Sequence, residues 1–190
     1  MSSRRKFIQT SAIALSASSL LPFSGAANTI QHKSMLKKEF LQTGMAGYSF
    51  VNYNIDQTIA IMNRTGINNI SVKDFHLPLN SSQQTIDEVM GKFKKGGIQV
   101  YTVGVIYMKT EAEVDRAFDY AKRVGVNLII GVPGYDLLTY TEKKVKEYNI
   151  RIAIHNHGPE DKLYPGPKDV YNRISGMDKR VGLCLDIGHA

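Results

Sequence analysis

The sequence contains one cysteine and no tryptophan among its 190 residues. A single cysteine, Cys184, excludes an internal disulfide framework. Because Cys184 lies inside an apolar run, we expect a buried and unreactive thiol there. Beyond residue 27 the sequence also lacks an apolar run of the roughly 20 residues that a membrane-spanning helix needs. We therefore expect no membrane contact from residues 28–190.

Outside its first residues the sequence has no strong excess of one charge. The formal net charge is +7. Three of the basic residues are Arg4, Arg5 and Lys6, so 7 − 3 = +4 remains on residues 28–190. The other basic residues alternate with acidic ones, as in residues 143–147, which is typical of a solvated helix face and argues against a nucleic-acid partner. An apolar content of 43% with 22% charged residues is typical of a globular protein.

The start of the chain has the organisation of an export signal. A basic segment with a twin arginine precedes a weakly apolar stretch over residues 11–23, and small residues follow. The twin arginine followed by lysine, phenylalanine and isoleucine resembles the motif of the twin-arginine translocation route. The apolar stretch is too short to span a membrane. We therefore expect a cleaved signal peptide over residues 1–27, a polar entry segment over residues 28–42, and a periplasmic protein.

Apolar runs alternate with amphipathic segments along the rest of the chain. Six runs have the short, β-branched character of buried strands, and five segments between them have apolar residues at helical spacing. The predicted strands cover residues 43–50, 67–72, 98–106, 126–132, 150–155 and 181–186. The predicted helices cover residues 56–64, 82–95, 110–124, 137–148 and 167–174, and Thr110 is suited to cap the third.

This alternation predicts an α/β fold with a parallel sheet covered by helices. An open doubly wound sheet is one such fold, but no glycine-rich phosphate loop follows the first strand. The other is a (β/α)8 TIM barrel, which needs two strand–helix units more than the six present here. Because the chain stops directly after the sixth strand, we expect an incomplete barrel over residues 43–190 that forms part of a longer protein.

Side chains that bind metals follow the last two predicted strands. His155 and His157 stand where the fifth strand meets its loop, and Asp186 and His189 follow the sixth. Consecutive parallel strands emerge at the same edge of a sheet, where such folds carry their chemistry. Imidazole and carboxylate suit manganese, iron, cobalt or zinc. The sequence therefore predicts a divalent-metal site at this edge, formed by these two clusters.

Less specific interpretations remain for each of these residues. The two histidines are also consistent with ordinary loop residues ahead of Gly158. Asp186 is also consistent with an aspartate that caps a following helix. Glu160 and Asp161 follow the histidines. They would either hydrogen-bond to the metal ligands or be solvated loop residues.

The segment Leu-Asp-Ile-Gly-His-Ala over residues 185–190 resembles the Asp-x-x-His motif of the xylose isomerase-like TIM-barrel superfamily. That superfamily includes sugar isomerases and epimerases and the endonuclease IV type of enzyme. Many members have a glutamate ligand on the fifth strand within Glu-Asn-His, whereas this chain has His155-Asn156-His157. The resemblance implies that His155 takes the place of that glutamate as a metal ligand, that Asp186 is a second ligand, and that His189 binds substrate near the metal. The remaining ligands of the family lie beyond residue 190.

The same resemblance implies two further substrate contacts. His76 follows the second strand, where family members place a histidine that contacts substrate. Tyr48, at the end of the first strand, would form part of a sugar-binding wall, although simple packing is the better explanation of this residue.

The resemblance implies a metal-dependent sugar isomerase or epimerase that acts through an enediolate intermediate, and the predicted signal peptide implies that it is exported. His157 and His189 are then the candidate residues for proton transfer. The same chemistry would also serve a 3-keto-glycoside lyase or dehydratase. A non-catalytic sugar-binding barrel is a further hypothesis. We expect a small sugar or keto-sugar as partner, with a homo-oligomer also compatible with the sequence.

Overall fold

The computed structural model describes residues 41–189 of the chain. Six strands and five helices alternate in this part. The strands are β1 (Met45–Ala46), β2 (Asn69–Val72), β3 (Gln99–Met108), β4 (Leu128–Pro133), β5 (Arg151–His155) and β6 (Val181–Cys184). The helices are α1 (Ile55–Thr65), α2 (Gln83–Lys95), α3 (Glu111–Val124), α4 (Leu138–Tyr148) and α5 (Pro167–Ile174), with 3₁₀ turns at Gly47–Phe50 and Tyr135–Leu137.

The strands form one parallel sheet in the order β1-β2-β3-β4-β5-β6. Each strand therefore pairs with the next strand along the chain, and the order never reverses. A doubly wound sheet reverses its order at a switch point, so this topology excludes that alternative. Sequential parallel strands joined by helices are the arrangement of a TIM barrel, and the predicted incomplete barrel of six units is confirmed.

Local sequence signals determine where the helices begin and end. Thr110 accepts a hydrogen bond from the Glu113 N–H and caps α3 as predicted. The Asn54 and Gln57 side chains form a reciprocal capping box at the start of α1. Both helices end at a glycine in the left-handed region, where a side chain would be strained. These signals explain why the predicted helices agree with the observed ones within a residue or two.

The hydrophobic core fills the space between the sheet and its helices. In β5, Ile152 and Ile154 are buried toward the helices. Alternation along the strand leaves Arg151, Ala153 and His155 on the opposite, inner face. Barrels of this kind carry their active sites at the carboxyl ends of the strands, and the fold places His155 at that edge.

Two predicted strands end earlier than expected. The run over residues 43–50 was predicted as one strand, but β1 ends at Ala46 and Gly47–Phe50 forms a 3₁₀ turn. A Cβ at Gly47 would lie 2.3 Å from the Ser71 carbonyl oxygen, so only glycine allows this close approach to β2. The sixth strand ends at Cys184, before Asp186, and Leu183 on this strand is 36% exposed.

The predicted signal peptide and most of the predicted entry segment lie outside the described residues, so both stay predictions. Among residues 41–189, none of the helices has the length and hydrophobicity to cross a membrane.

Candidate functional site

The candidate site lies at the carboxyl ends of β5 and β6. These strands pair in register, and His155 lies opposite Cys184 at the end of the ladder. The loops that follow both strands therefore start side by side. His155 and Asp186 come together at this edge, with 3.5 Å between the His155 Nε2 and the Asp186 Oδ2 atoms.

The Asp186 carboxylate is oriented by its own loop. Its Oδ1 atom accepts a hydrogen bond of 2.8 Å from the Gly188 N–H. Its Oδ2 atom is left to face His155 and, at 4.0 Å, the Nε2 atom of His189. The His189 side chain is about half exposed, with 52% of its surface accessible, so its ring can also meet a small molecule.

The Asn156 side chain joins the two loops. It is fully buried, and its amide oxygen accepts a hydrogen bond of 2.9 Å from the Asp186 N–H. Its amide nitrogen donates to the carbonyl oxygens of Asp186 at 3.1 Å and His189 at 3.4 Å. Alternation places Asn156 on the face opposite to its histidine neighbours, as the sequence predicts. Its role as a link between the loops is a feature that the sequence analysis missed.

His157 is held between two side chains. Its Nε2 atom lies 2.7 Å from the Tyr107 hydroxyl, and its Nδ1 atom lies 3.6 Å from the Asp161 carboxylate. A proton on Nδ1 faces that carboxylate, and Nε2 then accepts the Tyr107 hydroxyl proton. Asp161 is fixed by the backbone N–H groups of Leu163 and Tyr164. Both ring nitrogens of His157 therefore face protein groups. The side chain of its partner Tyr107 is half exposed.

Burial determines the protonation of His155, at the end of β5, and of His157, in the loop that follows. Loss of solvent lowers the pKa of His155 and of His157 below the ordinary value of 6.5. The nearby carboxylates of Asp186 and Asp161 oppose this effect, and the positive charge of Lys73 adds to it. Both imidazoles are therefore mainly neutral at pH 7, which is the form that can bind a metal.

The spacing of His155 and Asp186 fits a shared metal ion. Two ligands about 2.1 Å from one ion in tetrahedral geometry lie about 3.4 Å apart, and the observed distance is 3.5 Å. Within residues 41–189, however, the set of metal ligands is incomplete. Between residues 41 and 189, no group of three or more His, Cys, Asp or Glu side chains is placed to hold an ion. The buried Nδ1 atom of His155 has no hydrogen-bond partner there either, although a metal-bound histidine usually has one.

Two predicted substrate contacts lie away from this cluster. His76 is 7% exposed, and its Nε2 atom lies 3.2 Å from the Tyr53 carbonyl oxygen and 3.4 Å from the Thr58 hydroxyl. These contacts give His76 a structural role in joining α1 to the loop after β2. Tyr48 lies in the 3₁₀ turn after β1 and is exposed. The predicted substrate roles of both residues stay predictions.

Cys184 lies just below the site, paired with His155 in the ladder. The structure places it partly buried, with no disulfide among the described residues. Burial raises the pKa of its thiol, and the charge of Asp186 raises it further. The thiol therefore stays protonated at neutral pH, which agrees with the predicted unreactive cysteine.

Comparison with solved structures identifies the architecture. The chain matches an uncharacterised protein from Parabacteroides distasonis with 25% identity and a TM-score of 0.66, over 77% of this chain and 63% of that one. It matches a protein from Rhodospirillum rubrum named as a candidate xylose isomerase, with 12% identity and a TM-score of 0.63, over 79% and 67%. The chain has a xylose isomerase-like fold. The predicted resemblance is confirmed at this level.

A third match to the xylose isomerase-like fold is the 3-keto-D-glucoside 4-epimerase of E. coli. Its identity is 15% and its TM-score is 0.60, over 76% of this chain and 67% of that one. The chain spans 63% to 67% of the length of these three proteins. No protein-family model matches the chain, and no curated protein matches it.

Proposed function

We propose that this chain is the larger part of an exported, metal-dependent sugar isomerase or epimerase. The observation that carries the proposal is the pairing of His155 and Asp186 at 3.5 Å on the functional edge of a xylose isomerase-like barrel. The epimerase from E. coli, named for a 3-keto-glucoside, supports a keto-sugar as the substrate class. The twin-arginine leader over residues 1–27 supports export to the periplasm.

His155 and Asp186 would hold the metal, which we expect to be manganese, zinc, cobalt or iron. When bound, such an ion would polarise a sugar carbonyl and favour loss of the proton on the neighbouring carbon, which gives an enediolate. His189 is half exposed beside Asp186, and its imidazole would bind a sugar hydroxyl or move a proton. His157 would act through the Tyr107 hydroxyl, because its own nitrogens face Tyr107 and Asp161.

A non-catalytic sugar-binding barrel is the second candidate function. The buried Nδ1 atom of His155 has no hydrogen-bond partner among the described residues, although a metal-bound histidine usually has one, and this supports the second candidate. A lyase acting on a 3-keto-glycoside remains a variant of the first proposal, since loss of the same proton precedes elimination.

Titration with Mn²⁺ and Zn²⁺ by calorimetry tests the metal site. We expect one ion per chain, and we expect His155→Ala and Asp186→Ala each to weaken binding at least about tenfold because each removes one ligand. Asp87→Ala, at an exposed position on α2, is the matched control and should bind like the parent chain. Full metal binding by both site variants would show that the proposed site is wrong.

Proton exchange in D₂O separates the candidate functions. An isomerase or epimerase should incorporate deuterium next to the carbonyl of a keto-sugar only when metal is present, as followed by NMR. A lyase should also release an unsaturated product that absorbs in the ultraviolet. Sugar binding without deuterium exchange would favour the binding protein.

A further inference from the structure

A cavity of about 440 Å³ opens at the carboxyl ends of β2 and β3. Apolar side chains and the backbone of β3 form most of its wall. Among the described residues that line it, Lys73 and Asp74 are the charged ones, and Tyr107 forms its border. The cavity therefore carries one cation and one anion beside the residues described above.

The Lys73 ammonium has few hydrogen-bond partners for a charged group with so little exposure to solvent. Its side chain is 19% exposed. One of its three protons is donated to the Val105 carbonyl oxygen at 3.1 Å. The Asp74 carboxylate lies 3.8 Å away, beyond hydrogen-bond distance, and is 65% exposed, so water screens its charge. An ammonium in this position has donors left for a ligand.

The cavity borders the candidate active site at Tyr107. Tyr107 borders it and makes the hydrogen bond of 2.7 Å to His157. The charge of Lys73 acts on the imidazoles of His155 and His157. A ligand held by Lys73 would therefore extend toward the pair of His155 and Asp186.

The charges around the site leave Lys73 without a strong neutralising partner. The Asp161 carboxylate accepts two backbone N–H bonds, and Asp186 accepts one from Gly188 while facing His155. Histidine at position 155 also contributes no negative charge. The Lys73 ammonium, with donors left over, is therefore the group here that an anionic ligand would contact.

We propose that Lys73 forms an anion-binding subsite that holds the carboxylate or phosphate group of an acidic sugar. This inference rests on the proposed sugar-processing function and specifies its substrate class. The ammonium would donate to the acidic group while the rest of the sugar reaches His189 and the metal-binding pair. Lys73 is then a residue that determines specificity.

Calorimetry on the full chain with Mn²⁺ tests the subsite, with D-glucuronate, D-glucose 6-phosphate and D-glucose as probes. We expect at least one acidic sugar to bind more tightly than glucose. Lys73→Met should weaken that binding about tenfold or more, since a charge-assisted hydrogen bond is lost, and leave glucose unchanged. Lys73→Arg keeps the charge and should retain most of the affinity. The acid that loses more affinity identifies carboxylate or phosphate as the natural group.

Lys92→Met is the matched control, because Lys92 pairs with Asp56 at the surface, on helices away from the cavity lining. It should bind all three sugars as the parent chain does. If Lys73→Met fails to fold, rising salt in the parent chain gives a second measurement, and only acidic-sugar binding should weaken.

The outcomes separate the two proposals. Equal binding of acidic and neutral sugars, or acidic-sugar binding that neither Lys73→Met nor salt affects, overturns the subsite and leaves the sugar function standing. Absence of any sugar binding by the parent chain overturns both.

Discussion

At the scale of single residues, Asn156 determines how the two loops of the candidate site meet. The sequence predicts that this side chain points away from its histidine neighbours, because side chains alternate along a strand. The sequence does not indicate which groups Asn156 bonds to, because those groups lie some thirty residues further along the chain. The three hydrogen bonds to the Asp186 loop hold the carboxylate near His155.

Replacement of Asn156 by aspartate tests this link. The substitution keeps the shape but removes the amide donors, so we expect a loss of about 1–3 kcal/mol in the free energy of unfolding. We also expect weaker Mn²⁺ binding, because the Asp186 loop is no longer fixed. Urea denaturation and calorimetry measure the two effects. Asn63→Asp, at an exposed position on α1, is the control, and equal behaviour of the two variants would contradict the role of Asn156.

At the scale of elements, the boundaries of helices were easier to predict than the ends of strands. The helix boundaries follow from local signals such as Thr110 before α3 and a glycine after it. The ends of β1 and β6 depend instead on neighbours that the local sequence does not describe. The Gly47 backbone turns because it meets Ser71 on β2, and β6 ends before Asp186 because Asn156 engages the backbone there.

The cap of α3 gives a prediction at this scale. Thr110→Ala removes the acceptor for the Glu113 N–H and should lower the free energy of unfolding by about 1 kcal/mol. Thr110→Ser retains the hydroxyl and should lose much less. Thermal or urea unfolding measures both variants, and an equal loss would show that the methyl group rather than the cap stabilises the helix.

At the scale of the whole molecule, the barrel arrangement creates a set of buried histidines. Burial lowers the pKa of His76, His155 and His157 from the ordinary value of 6.5. The unfolded chain therefore binds more protons than the native chain once the pH falls toward and below 6.5. The stability that these neutral imidazoles provide is complete above that pH and is lost as the pH falls further.

This difference predicts the pH dependence of stability in the absence of metal. The urea midpoint should be highest above pH 6.5 and should decrease as the solution becomes more acidic, before the carboxylates begin to protonate. His76→Asn removes one of the three groups and should reduce the slope in this range. The proton uptake on unfolding, measured by titration, gives an independent check. An unchanged slope in the variant would contradict the proposed contribution of His76.

The local order of residues was sufficient to determine the succession of strands and helices, the parallel sheet, and the positions of His155, His157, Asp186 and His189 at strand ends. These features depend on periodicity and capping within a few residues. The sequence predicted that His155 and Asp186 share this edge, but their distance of 3.5 Å, the Asn156 link and the surroundings of Lys73 were decided only when the sheet formed. They depend on the register between strands and on side-chain directions, which bring together residues about thirty or more positions apart.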